Sequence, residues 1–218
     1  MGNSNDLLHR IAFSMLPNIG PILAKRILSY TGDVDAVFKE SKRNLIKIPN
    51  LGEHTVKNIQ SGELFKRAEE EIRFAEKYNI NILFYTDNNY PKRLKNCEDA
   101  PVLLYSKGNV DYNQVKILSI VGTRHASDRG IENCEKLIRD LSSNDKNILI
   151  ISGLAYGIDI CAHKSSVNAG IQTVAVLAHG LHTIYPSLHR NVAEKMVQNG
   201  SLLTEFPSYS KVASYNFV

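Results

Sequence analysis

From residue 115 to residue 207 the chain repeats one rhythm. A short apolar run stops at a glycine or a small polar residue, and an amphipathic stretch follows. "VKILSIVG" leads into "SDRGIENCEKLIRDLSS", "NILIISG" into "GIDICAHKSSVNAG", and "QTVAVLAHG" into "SLHRNVAEKMVQNG"; "SLLTEFP" closes the series. Runs that are apolar at successive positions leave no face for water, so they predict strands buried on both sides. Helices between such strands predict a parallel sheet with both faces covered. In the first helix Ile131, Cys134, Ile138 and Leu141 fall on one face. "INILFYT" and "PVLLYSKG" add two strands ahead of the series, with "PKRLK" a helical turn between them. The fold class expected is α/β, a Rossmann-like parallel sheet domain.

The front of the chain reads differently. "LPNIGPILAKRIL" (Leu16 to Leu28) and "IPNLGEHTVKNIQ" (Ile48 to Gln60) share an apolar-Pro-Asn-apolar-Gly start, 32 residues apart. Each copy opens on a glycine turn and continues with helical periodicity, with Ile22, Leu23 and Ile27 as the apolar stripe of the first. Shorter amphipathic stretches precede both. The pattern resembles a small all-α, SAM-like domain of tandem helix-hairpin-helix units. Such turns can offer backbone N–H groups to a phosphate, or the glycines can simply close a helical bundle. Glu53 stands in the second turn, where it would repel a phosphate. A further helix runs through "ELFKRAEEEIRFAEKYNI", with Glu69, Glu70 and Glu71 read as its solvated face. A boundary near Asn79 divides a helical domain, residues 1–79, from the Rossmann-like domain, residues 80–218.

In sheets of this kind ligands bind beyond the carboxyl ends of the strands. Those ends read Gly122-Thr123-Arg124, Ser152-Gly153, Ala178-His179-Gly180 and Thr204-Glu205. Right-handed crossovers bring them to one rim. Glycines there give open backbone walls, Arg124 gives a cation, and Asp159 is placed to cap the helix after Gly157. The rim is an anion site in outline. It lacks the G-x-G-x-x-G fingerprint and its following acid, and the chain has no P-loop, so a nicotinamide cofactor or P-loop nucleotide is not expected. His163, His179, His182 and His189 lie near the rim with Asp159, but no metal-ligand spacing joins them. Ser152 or Thr123 with His163 as base lacks the nucleophile-elbow context. "GLHTIYPSLHRN" sets Tyr185 among His182, His189 and Arg190, a mixture that suits a single strand whose bases stack and whose phosphates pair.

The net charge of +4 is spread evenly between residues 1–80 and 81–218, so a basic site must be local. No apolar run reaches the roughly 18 residues that span a bilayer, and the N-terminus does not read as a secretory signal. Cys97, Cys134 and Cys161 are an odd, widely spaced set. They are expected as buried, inert thiols in a reducing, cytoplasmic setting.

"SIVGTRHAS", "ISGLAYGIDICAH", "TVAVLAHGLHTIYPSLHRNVAEKM" and "GSLLTEFP", in this order, closely resemble the DprA/Smf family of DNA-processing proteins. The resemblance is strong over residues 80–207. It implies cooperative binding of single-stranded DNA in a basic pocket, delivery of that DNA to the RecA recombinase during DNA uptake and natural transformation, a homodimer, no membrane, no cofactor and no catalytic turnover. It also implies a chain cut short at its C-terminal side, with part of the pocket, the sheet and the dimer surface beyond residue 218. Arg124 matches a DNA-contacting arginine, and Arg190, with His189, stands where a second basic residue is expected. The strand-binding set is therefore Gly122, Thr123, Arg124, Ser152, Gly153, Gly157, His163, Gly180, Tyr185, His189 and Arg190. The competing readings are a Rossmann-like nucleotide hydrolase or transferase using Asp159 or Glu205, and a protein-interaction scaffold.

Overall fold

The computed structural model describes residues 4–60, 62–213 and 216. The elements run α1 (Ser4–Ser14), α2 (Pro21–Thr31), α3 (Val34–Lys39), α4 (Lys42–Leu45), α5 (Glu53–Gln60), α6 (Glu63–Tyr78), β1 (Ile80–Phe84), α7 (Lys92–Lys95), β2 (Leu103–Gly108), β3 (Ile117–Ser119), α8 (Asp128–Asn144), β4 (Leu149–Ser152), α9 (Ile158–Ala169), β5 (Gln172–Val176), a single 3-10 turn (Ser187–His189), α10 (Arg190–Met196) and β6 (Ser201–Thr204). The chain forms two compact units. One is Met1–Lys77 with Ile82–Leu103, the other Tyr78–Asn81 with Leu104–Val218.

In the first unit, Ile11, Phe13, Ile27, Val37, Leu45, Val56 and Ile59 make a helical core. The two copies of the repeat share a backbone signature: Asn18 and Asn50 both take left-handed φ, 63° and 68°. Asparagine tolerates that region better than most residues, so each copy turns at its asparagine, ahead of the glycine that the spacing alone suggests. On α2 the buried positions are Ala24, Ile27 and Leu28, while Ile22 turns outward at 43% exposure. The stripe is thus shifted by part of a turn from the one expected. On α6, Glu69 and Glu70 face solvent, but Glu71 is fully buried and pairs with Arg67 one turn earlier. The acidic run is not all a solvated face.

In the second unit the expected series of strands is present and parallel. β3 pairs with β4 (Ile117 opposite Leu149), β4 with β5 (Ile150 opposite Thr173) and β5 with β6 (Ala175 opposite Leu202). The sheet order is β1-β2-β6-β5-β4-β3. β2 runs antiparallel to β6, with Tyr105 opposite Thr204, so the sheet is mixed rather than wholly parallel. α8 lays Cys134 and Ile138 against Ile150, Cys161 and Ile171 on one face, with Ile131 and Leu141 partly buried beside them. Leu154, Ile160, Leu177, Ala193 and Met196 fill the other. Replacing the fully buried Ile138 by alanine would cost about 2–5 kcal/mol.

Of the three thiols, Cys134 and Cys161 are buried as expected, but Cys97 is exposed. Burial, with Cys161 adding to it, pushes the Cys134 thiol up to about 12, so it stays protonated and unreactive. The helix of residues 187–200 is shorter than its pattern implied. It ends at Met196, and Gly200 lies just before β6, not at a helix end.

Candidate nucleic-acid interface

Because β3 to β6 are parallel, their carboxyl ends meet on one rim. The loops there are built on one another. A Cβ on Gly122 would fall 2.6 Å from Cγ1 of Ile158, and one on Gly157 would fall 2.1 Å from the carbonyl oxygen of Thr123. The Ile158 N–H donates to that same carbonyl at 3.2 Å. On the far side, a Cβ on Gly180 would fall 2.3 Å from the carbonyl oxygen of Pro207. These glycines are where neighbouring parts of the chain touch. At Gly122, Gly157 and Gly180 the space a side chain would take is filled by protein.

The polar residues of the rim also brace it. Thr123 Oγ1 accepts the N–H of His125 at 3.1 Å and shapes the turn that carries Arg124. Ser152 is buried, and its hydroxyl donates to the carbonyl of Ile120 at 2.7 Å, tying β4 to the exit of β3. Gly157, at φ 74° and ψ −121°, is itself the N-cap of α9. Asp159 is therefore not the cap. It is buried in the first turn, and its Oδ2 accepts the N–H of Ala155 at 3.4 Å.

His163 is fully buried, and its Nδ1 lies 2.8 Å from Thr173 Oγ1. The Thr173 hydroxyl donates its one proton to the carbonyl of Ile150. The His163 Nδ1–H must then be the donor to Thr173, which fixes the neutral tautomer. Burial, with His189 nearby, lowers the His163 pKa to about 3. A side chain at that depth does not reach a strand lying on the rim, so His163 leaves the contact set. His189 is also buried: its Nδ1–H donates to the carbonyl of Leu154 at 2.8 Å. Its ring meets Tyr156 edge-on at 5.1 Å and props that tyrosine from below.

What remains at the surface is a crevice of about 490 Å³ lined by Arg124, Gly153, Ala155, Tyr156, Tyr185, Pro186 and Val212. Tyr156 and Tyr185 are 46% and 48% exposed. Arg124 is exposed and makes no ion pair among the described residues. Arg190 is not in this crevice. It lines a second cavity of about 310 Å³ with Lys107, His182, Thr183 and Glu194. Among the described residues, no group of three or more His, Cys, Asp or Glu could hold a metal ion. No helix among them is long and apolar enough to cross a membrane.

The family model described as DNA recombination-mediator protein A matches residues 81–218. The chain belongs to the DprA/Smf family. Protein Smf of a Synechocystis species is 31% identical over 221 residues, covering all of this chain and 55% of its own. DNA processing protein DprA of Streptococcus pneumoniae is 34% identical over 131 residues, covering 60% of this chain and 45% of its own. The chain spans about half the length of the curated relatives it matches. The X-ray structure of DprA from Streptococcus pneumoniae superposes on the whole of this chain with a TM-score of 0.75 at 25% identity, over 72% of its own length. DprA from Helicobacter pylori, whose structure concerns its single-stranded DNA binding mode, superposes on 64% of this chain and 61% of its own at a TM-score of 0.56 and 27% identity.

Within this DprA/Smf domain, sequence reasoning found Arg124, Gly153 and Tyr185 at the crevice and passed over Tyr156. The signal was present: a tyrosine immediately before the glycine of a strand-exit turn has little core to enter. Lys107 carried no signal, because it lies on β2, outside the strand–helix series, and only the antiparallel pairing with β6 brings it near α10.

Proposed function

We propose that this chain binds single-stranded DNA in the Arg124 crevice, without turnover, as the strand-holding part of a DNA-processing protein. The observation that carries the reading is one juxtaposition. An arginine with no ion pair among the described residues shares a crevice with two half-exposed tyrosines. Cations that meet phosphates and aromatic faces that meet bases are what a strand needs, and neither depends on sequence. A duplex keeps its bases stacked inside and offers the tyrosines nothing. The nucleophile reading of Ser152 with His163 has less support: the Ser152 hydroxyl is committed to a backbone carbonyl, and His163 is buried on Thr173. The proposal takes residues 80–218 as the DNA-binding part and residues 1–79 as a helical companion. Delivery of the strand to the RecA recombinase, a homodimer and a cytoplasmic location are the biological setting the family resemblance implies.

The test is fluorescence anisotropy with a labelled oligo-dT over a salt series, with duplex of equal length as competitor. Preference for the single strand and a steep loss of affinity with salt are expected. Arg124→Glu is expected to weaken binding and flatten the salt dependence. Unchanged affinity and slope in that variant would sink the assignment.

A further inference from the structure

The second cavity stands apart from the Arg124 crevice, and three observations give it a ligand. Neither of its cations has a carboxylate partner among the described residues. Arg190 stands one helical turn before Glu194 on α10, a spacing at which such residues often pair, yet it forms no ion pair among the described residues. The Lys107 ammonium lies 5.7 Å from the centre of the Tyr78 ring and has no carboxylate within ion-pair range among those residues. Its walls are apolar: Leu181, Ile184 and Val197 pack on the core cluster that contains Leu202. It also adjoins the crevice. Ile184 lines this cavity and the next residue, Tyr185, lines the other, so the two share one stretch of chain.

An apolar wall beside two cations that lack carboxylate partners matches a nucleotide unit, with the base on the wall and the phosphate on the cations. A purely apolar ligand would leave both cations unanswered, and a small inorganic anion would leave the wall wet. At about 310 Å³ the cavity lies at the lower end of the size range of ligand pockets and suits one nucleotide rather than a run. We propose that the Lys107–Arg190 cavity takes one nucleotide unit of the strand that occupies the Arg124 crevice, the strand crossing at the step from Ile184 to Tyr185. Glu194, in the same cavity, opposes the phosphate and holds the affinity down. The inference rests on the strand-binding reading above.

The test uses the 218-residue chain with labelled oligo-dT at the two ends of the usual single-strand site size, about 4 and about 16 nucleotides. Lys107→Ala with Arg190→Ala is expected to leave the short oligonucleotide unaffected. It should weaken the long one about tenfold and lower the salt slope by about 0.7, for the one phosphate the two cations neutralise. Glu194→Gln is expected to tighten the long oligonucleotide about threefold, a gain that misfolding cannot imitate. If the double variant binds the long oligonucleotide as the parent does, the cavity is not on the path and the Arg124 reading stands. If the parent binds neither oligonucleotide, both readings fall. If free dTMP protects the parent but not the double variant against heat, while long-oligonucleotide binding is unchanged, the cavity serves a free nucleotide and the strand path is overturned.

Discussion

The carbonyl oxygen of Thr123 occupies the space where a side chain on Gly157 would begin, 2.1 Å from the position of its Cβ. The turn after β3, which carries Arg124, therefore rests on the turn after β4. Gly157→Ala would force these backbones apart and hold an L-residue at φ 74°. We expect a loss of about 3 kcal/mol or more in urea denaturation, together with loss of DNA affinity. Gly170, at φ 71° with open space around it, is the control. Alanine there should cost only about 1 kcal/mol and leave binding intact.

The tyrosines separate stacking from charge. Tyr156→Ala and Tyr185→Ala should each weaken oligo-dT binding by about 1–3 kcal/mol without altering the salt slope, because every phosphate keeps its cation. Phenylalanine at either position should keep most of the affinity. A slope that flattens with the tyrosine would contradict the division of labour drawn for the crevice.

His163 links the fold to acid. Its pKa in the folded chain is about 3, against 6.5 when unperturbed. Between those values the unfolded chain takes up a proton that the folded chain refuses. Stability is thus full above pH 6.5 and falls as pH drops through the window, by up to about 1.4 kcal/mol per pH unit. Urea midpoints measured across that range should show the slope, and His163→Asn should flatten it while lowering stability near neutrality.

In the helical unit, Arg67 answers the buried carboxylate of Glu71. Arg67→Ala should destabilise by about 2 kcal/mol, the usual worth of a hydrogen bond to a charged group. Glu69→Ala, at an exposed position, should change stability by less than about 0.5 kcal/mol. Equal effects at the two sites would mean that the depth of Glu71 has no energetic weight.

The strands were legible because burial on both faces leaves a continuous apolar run, and the sequence has few other reasons to write one. The antiparallel course of β2 was not legible: pairing direction leaves no mark on "PVLLYSKG". Arg124 could be placed because a long cation just past a strand-exit glycine has nowhere to go but the rim. Its separation from Arg190 could not, since both follow strands of the same sheet and residues 181–184 line one cavity while Tyr185 and Pro186 line the other. His163 and His189 misled for one reason. A histidine in a polar-looking motif reads as a surface group, whereas both spend their Nδ1–H on buried oxygens. Glu71 and Cys97 failed in opposite directions, as residue type alone does not report depth.

The bracing of the rim sets different rules for its letters and for its lengths. The exit of β3 is seated on that of β4, and the loop after β5 on the chain after β6, each through backbone contact at a glycine. Side chains that point outward from these turns are free to drift, and with them the grip on a ligand. An insertion or deletion in either member of a pair would unseat the other. Among descendants of such a chain, the rim should diversify by exchange of residues while its loops keep their spans.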